Sequence, residues 1–269
     1  MSLHTEIPFQ NGFAEVNGLR MYYELYGEGE PLVLLHGGAS TIQTSFGRVI
    51  PFLAQKRRLI CMELQAHGRT GDRDAPISFQ QDADDVAALL VKLGIQQADL
   101  LGFSNGGMTA LQLAIRHPRF CNRVIAASVL LKRNGAPDLF WEFMRNGTFN
   151  DMPQIYKEAF LALTPDPEKL MRLYRKCSDR MVYLEDFPDE QLQKIKSPVL
   201  FINAVQDVGS REHMEAMVRL VPGSSLVVLP GGHGGYLGEA TGPAIPDGEM
   251  PSALPIIDQF LSSRDSQAG

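Results

Sequence analysis

Apolar residues follow two rhythms along this chain, and the alternation between them outlines an architecture. Continuous apolar runs centred on residues 32–35, 59–62, 100–103, 123–130, 199–202 and 226–229 have the length and bounding turns of strands buried on both faces. Between several of them the spacing changes to that of a helix. Val86, Leu89, Leu90 and Leu93 form one stripe, and Met108, Leu111 and Ile115 form another that Pro118 stops. Ser78 and Gln81 have the spacing of a capping box, with Asp82, Asp84 and Asp85 crowding the first turns. Residues 46–55 read as a helix interrupted or restarted at Pro51, and residues 254–261 as a final helix. Near the N-terminus, residues 13–16 and 19–26 flank Asn17-Gly18, a two-residue hairpin signal that predicts an antiparallel edge. Strand and helix otherwise alternate, which implies a parallel sheet with right-handed crossovers and helices on both faces.

The alternation breaks at residues 133–194. There Trp141, Phe143, Met144, Tyr156, Phe160 and Leu163 follow helical spacing, and Pro165 and Pro167 punctuate the stretch. A separate domain of this size without strands would have little core of its own. The reading is therefore a core in two parts, residues 1–132 and 195–269, with a helical cap at 133–194 lying over the carboxyl edge of the sheet. Residues 238–251 are rich in Gly and Pro and read as an irregular loop.

Charge and composition narrow the function. A net charge of -6 with interspersed signs argues against nucleic acid or an anionic membrane as partner. The start of the sequence lacks a basic, apolar leader and no segment has the length of a membrane span, so a cytoplasmic protein acting on a small molecule is expected. Three widely spaced cysteines, Cys61, Cys121 and Cys177, suggest buried thiols rather than disulfides or zinc ligands. Neither a metal nor a cofactor is expected.

The chemistry gathers at strand ends. In an open parallel sheet, ligands bind beyond the carboxyl ends of the strands, and here four glycine-rich or polar loops lie there: 36–39, 102–107, 203–209 and 231–235. In the second, Gly102-Phe-Ser-Asn-Gly106 sets Ser104 on a turn from strand to helix too sharp for bulky neighbours, with the Asn105 amide at the helix start. A serine hydroxyl needs a base within reach to become a nucleophile, and His233 in the fourth loop is the candidate. Asp207 in the third loop can hold the second nitrogen of that imidazole and stabilise the imidazolium. The amides of Gly38 and Asn105 can meet an oxyanion. His36 and His67 read as braces for loop backbone, while His4, His117 and His213 carry no catalytic signal.

These motifs, Leu-Leu-His-Gly-Gly at 34–38, Ala-His-Gly-Arg at 66–69, Gly-Phe-Ser-Asn-Gly-Gly at 102–107, the strand ending at Asp207 and Gly-Gly-His at 231–233, resemble the α/β-hydrolase superfamily over nearly the whole chain. The chain is most similar to its small capped esterase-type members. That resemblance implies a mostly parallel eight-stranded sheet with a helical lid inserted after the sixth strand. It departs from the usual pattern at Glu63 and Gln65, where an Asp and an Arg are common, and at Ala204-Val-Gln-Asp207, where a Gly often precedes the acid. A serine nucleophile sets the chain apart from the branches that use an aspartate. The expected activity is hydrolysis of a small to medium uncharged carboxylic ester through an acyl-enzyme, with Ala39, Trp141, Phe143 and Met144 as substrate-binding residues. The same triad could instead cleave a carbon-carbon bond, amide, lactone or peracid, and a non-catalytic ligand receptor on the same fold is the alternative of another class.

Overall fold

The computed structural model describes residues 8–246 and 248–263. Strands β1 (Phe9–Val16) and β2 (Leu19–Tyr26) form the hairpin that the sequence signals, with Asn17 at φ +48° and Gly18 at φ +76°, the pair of positive values a tight two-residue turn requires. Six further strands follow: β3 (Glu30–Leu35), β4 (Arg57–Met62), β5 (Ala98–Phe103), β6 (Cys121–Ala127), β7 (Val199–Gln206) and β8 (Ser224–Gly232). They make one sheet in the order β1-β2-β4-β3-β5-β6-β7-β8. Only the β1/β2 and β2/β4 pairs are antiparallel.

Helices cover both faces, which is why the central strands are apolar at every position rather than at alternate ones. On one face Val33, Leu35 and Leu100 pack with Val86, Leu89 and Leu90 of α3 (Phe79–Lys92) and Met108 and Leu111 of α4 (Asn105–Arg116). On the other, Leu32, Leu34 and Leu101 meet α1 (Ile42–Phe46), α2 (Ile50–Leu53) and α10 (Leu254–Ser262). Helix α9 (Arg211–Leu220) joins β7 to β8.

Between β6 and β7 lie α5 (Asp138–Asn146), α6 (Gln154–Leu163), α7 (Pro167–Val182) and α8 (Asp189–Leu192). Phe160 of α6 and Leu170, Leu173 and Cys177 of α7 bury themselves against Ala66 and Ile77, which belong to the long loop after β4. A buried ion pair between Arg180 and Asp82, at 2.7 Å, fastens α7 to α3. Thr164 and Lys176 add bonds to the Gly68 carbonyl and Asp72.

Three local expectations change. The helix read at 46–55 does restart at Pro51, which sits in the first turn of α2 where a missing N–H costs nothing, but its first residue, Phe46, ends the separate short helix α1 and residues 47–49 turn between the two. Ser78 does accept from the Gln81 amide, but the Gln81 side chain reaches forward to Asp85 at 2.9 Å, so only half of the capping box forms. The acids of α3 serve as ion-pair partners, Asp82 to Arg180, Asp84 to Arg116 and Asp85 to Arg73, more than as dipole charges.

Candidate active site

Ser104 sits between β5 and α4 at φ +52° and ψ −119°, a conformation that strains any residue with a side chain. The residues two before and two after it must be glycine for steric reasons that can be stated in ångströms. A Cβ on Gly106 would lie 2.0 Å from the Leu35 carbonyl oxygen, and one on Gly102 would lie 2.2 Å from the Gly106 oxygen. The Ser104 amide donates to the Ala127 carbonyl at 2.7 Å, tying the turn to the end of β6.

Asp207 follows the last residue of β7 and His233 the last residue of β8. His233 Nδ1 lies 2.6 Å from Asp207 Oδ1. The aspartate side chain is fully buried while the imidazole is about one-third exposed (34%). Burial pushes the Asp207 carboxyl up, but hydrogen bonds from His233 and Ser128 and the Ala204 amide outweigh it and hold the group below its ordinary value. With Nδ1 turned to the acid, His233 has Nε2 left for other work. His233 and Ser104 line the same cavity of about 260 Å3, although no hydrogen bond joins them among the described residues.

The loop after β3 is organised by two buried histidines. His36 donates from Nδ1 to the Gly37 carbonyl and accepts the Leu64 amide at Nε2. His67 donates to the Gln65 carbonyl and accepts the Ala39 amide at 3.0 Å. The Gly37 amide is taken by Ser45 Oγ. Of three successive amides, only that of Gly38 is left without an acceptor among the described residues, and the Asn105 amide at the first position of α4 is likewise open. The two residues touch, since a Cβ on Gly38 would lie 2.2 Å from Asn105 Nδ2.

Acting as acceptors, these rings must stay neutral. Burial holds His36 down to about 4 and His67 well below the ordinary 6.5, and burial brings His213, which accepts the Leu131 amide, to about 4. The unfolded chain therefore binds protons near pH 6.5 that the folded chain refuses. The associated stability is complete above pH 6.5 and is lost as pH falls toward 4, with His36 contributing on the order of 3 kcal/mol. The melting temperature should fall by about 5–10 °C between pH 7.5 and 5.0; an unchanged value would mean that the imidazoles charge without unfolding.

The sequence places Ala39, Trp141, Phe143 and Met144 at the substrate, and the structure separates them. Ala39, Phe143 and Met144 line the cavity. Trp141 does not. Its ring is buried away from the cavity, with Nε1 donating to the Arg133 carbonyl at 2.9 Å and the Arg133 guanidinium 4.0 Å above it. The wall is completed by Met108, Leu130, Phe140, Met152, Met181 and Val208, and by residues the sequence did not single out, Ser128 and Tyr174 among them. Tyr156 also faces the cavity and donates from its hydroxyl to buried Glu239 at 2.7 Å. Away from the cavity, His117 pairs with Asp84.

A sheet of this order, with a serine on the turn after its fifth strand and an acid and a histidine after the seventh and eighth, belongs to one class of fold. Residues 30–189 match the family model for the alpha/beta hydrolase fold, and the chain belongs to that family. It is 26% identical over 229 residues to human serine hydrolase BPHL, covering 81% of this chain and 77% of that one. Over 145 residues it is 33% identical to 2-hydroxymuconate semialdehyde hydrolase of Pseudomonas sp. strain CF600, 51% of this chain and 50% of that one. Among solved structures, 2-hydroxy-6-oxo-6-phenylhexa-2,4-dienoate hydrolase from Rhodococcus sp. strain RHA1 superposes with a TM-score of 0.77 at 18% identity, covering 96% of this chain and all of that one (100%). No helix among the described residues is long and apolar enough to cross a membrane.

Proposed function

We propose that the protein is a serine hydrolase that cleaves a small to medium uncharged carboxylic ester through an acyl-enzyme. The observation that carries the reading is the buried Asp207 carboxylate 2.6 Å from His233 Nδ1, with His233 and Ser104 on the wall of one cavity. In this mechanism His233 Nε2 takes the Ser104 proton as the hydroxyl attacks the carbonyl, and Asp207 stabilises the imidazolium. The open amides of Gly38 and Asn105 meet the oxyanion, each such donor accounting for about 100- to 1000-fold in rate. His233 then protonates the leaving alcohol, and the same steps with water release the acid. Residues 133–194 act as a cap whose α5–α7 side chains form the acyl pocket.

The charge of the substrate follows from the walls. No Lys or Arg lines the cavity among the described residues, and its one acid is Asp151. The names of the muconate semialdehyde and dienoate hydrolases indicate carboxylate substrates. A carboxylate in this cavity would be desolvated without a cation to meet it. A further relative, 3-oxoadipate enol-lactonase 2 of Acinetobacter baylyi, 27% identical over 205 residues, favours a second reading, in which the same triad opens a lactone or cleaves a carbon-carbon bond. Purified protein assayed on p-nitrophenyl esters, neutral lactones and a dienoate separates these. Neutral esters are expected to be turned over fastest, and a dienoate preferred over every ester would overturn the assignment.

Chain-length selection should come from the methionine and phenylalanine wall, at roughly 0.8 kcal/mol per buried methylene, a few-fold in kcat/KM, until the pocket fills. Phe143→Ala should flatten the profile from acetate to octanoate while sparing acetate. Trp141→Ala should instead lower stability by about 3–5 kcal/mol and leave the profile's shape alone. Both can be read by esterase assay and thermal melting, and identical profiles for wild type and Phe143→Ala would remove Phe143 from the acyl pocket.

A further inference from the structure

One corner of the sheet, residues 127 and 128 at the end of β6, is bonded to the loops that carry Ser104, Asp207 and His233. The Ala127 carbonyl accepts the Ser104 amide at 2.7 Å. The Ser128 amide donates to the Ile202 carbonyl of β7 at 2.7 Å, and Ser128 Oγ lies 2.5 Å from Asp207 Oδ2. The same Oγ is 2.7 Å from the hydroxyl of Tyr236, three residues beyond His233. Ser128 is buried and holds φ at +53°, so the strained corner is maintained in a residue that is not glycine.

The protons in this chain can be assigned. An ionised carboxylate has none to give, so Ser128 donates to Asp207 and must accept from Tyr236. Tyr236 has a second acceptor in the Ile202 carbonyl, but at the longer distance of 3.2 Å. The result is a directed series, Tyr236 to Ser128 to Asp207, in which each donor polarises the next. It ends on Oδ2, the oxygen that does not face His233, and so fixes the rotation of the carboxylate that presents Oδ1 to the imidazole.

We infer that Ser128 is a positioning residue for hydrolysis, acting through Asp207, and that Tyr236 acts only through Ser128. The inference rests on the serine-hydrolase reading above. His233 and Tyr236 are the titratable side chains set against Asp207, and Tyr236 stays protonated because burial drives its phenol well above the ordinary value.

The test is a double-mutant cycle on ester hydrolysis with pH profiles. Ser128→Ala should lower kcat on the order of 10-fold with KM nearly unchanged, as expected for loss of a hydrogen bond to a charged group. Losing a donor moves the Asp207 carboxyl upward, so the acidic limb of kcat/KM should shift to higher pH. Tyr236→Phe should cost about 3-fold alone and nothing further in the Ser128→Ala background. Wild-type kcat and an unmoved limb in Ser128→Ala would overturn the inference, as would a Tyr236→Phe effect that persists undiminished in the double variant. If Ser128→Ala proved too unstable to assay, the limb in Tyr236→Phe alone decides: an upward shift supports the series, and none overturns it. Failure of the underlying reading shows separately, as turnover that survives Ser104→Ala.

Discussion

Ser104→Ala should abolish labelling by a fluorophosphonate and lower kcat for a neutral ester by on the order of a million-fold, close to the loss known for a nucleophile that acts as a unit with its base. The fold should be spared. Alanine shares the serine's backbone demands, so the strain at φ +52° is already accommodated by Gly102 and Gly106, and the amide bond to Ala127 does not involve the side chain. What is lost is the one hydroxyl on the turn that the proposed chemistry needs. A variant with wild-type melting temperature and no labelling is the expected result. Labelling that persists would move the nucleophile elsewhere.

Asp207→Asn should lower kcat by about 10,000-fold, since a neutral amide favours the wrong imidazole tautomer. The structure adds a cost in stability. All four partners of the carboxylate are donors: His233 Nδ1 and the Val208 amide at Oδ1, Ser128 Oγ and the Ala204 amide at Oδ2. An asparagine must turn its NH2 toward one pair or the other. His233 can change tautomer and Ser128 can rotate, but the backbone amides cannot reverse. Either orientation leaves one donor facing another, at about 1–3 kcal/mol for the unsatisfied group. Circular dichroism melts and ester kinetics on the same preparation would register both effects. Near-wild-type turnover would require another acid.

Local signals were enough for the sheet and for the three loops the structure brings together. Buried parallel strands write themselves as unbroken apolar runs, and the sharp turn at Ser104 requires its glycines within two residues, so both are visible in short windows. Trp141 was not assignable in that way. Apolar residues occupy several faces of α5, and only docking decides that Phe140, Phe143 and Met144 face the cavity while Trp141 covers Arg133. Ser128 and Tyr236 are 108 residues apart, and no spacing rule links a hydroxyl after one strand to a phenol after another. The Gln81 side chain went to Asp85 because a charged acceptor also bound by Arg73 outcompeted the helix-start amide, a tertiary circumstance with no trace in the tetrapeptide.

Gly106 carries an implication for how such a protein can change over generations. Its missing side chain is what lets the elbow press against the Leu35 and His36 carbonyls, with a Cβ there falling 2.0 and 2.5 Å from their oxygens. Any replacement pushes apart the turn bearing Ser104 and the strand end that leads into Gly38, displacing the proposed nucleophile and the proposed oxyanion amide together. Position 106 thus has an alphabet of one letter. If the proposed chemistry holds, variation among descendants is channelled toward the side chains of α5 to α7 that line the cavity and away from the turn itself.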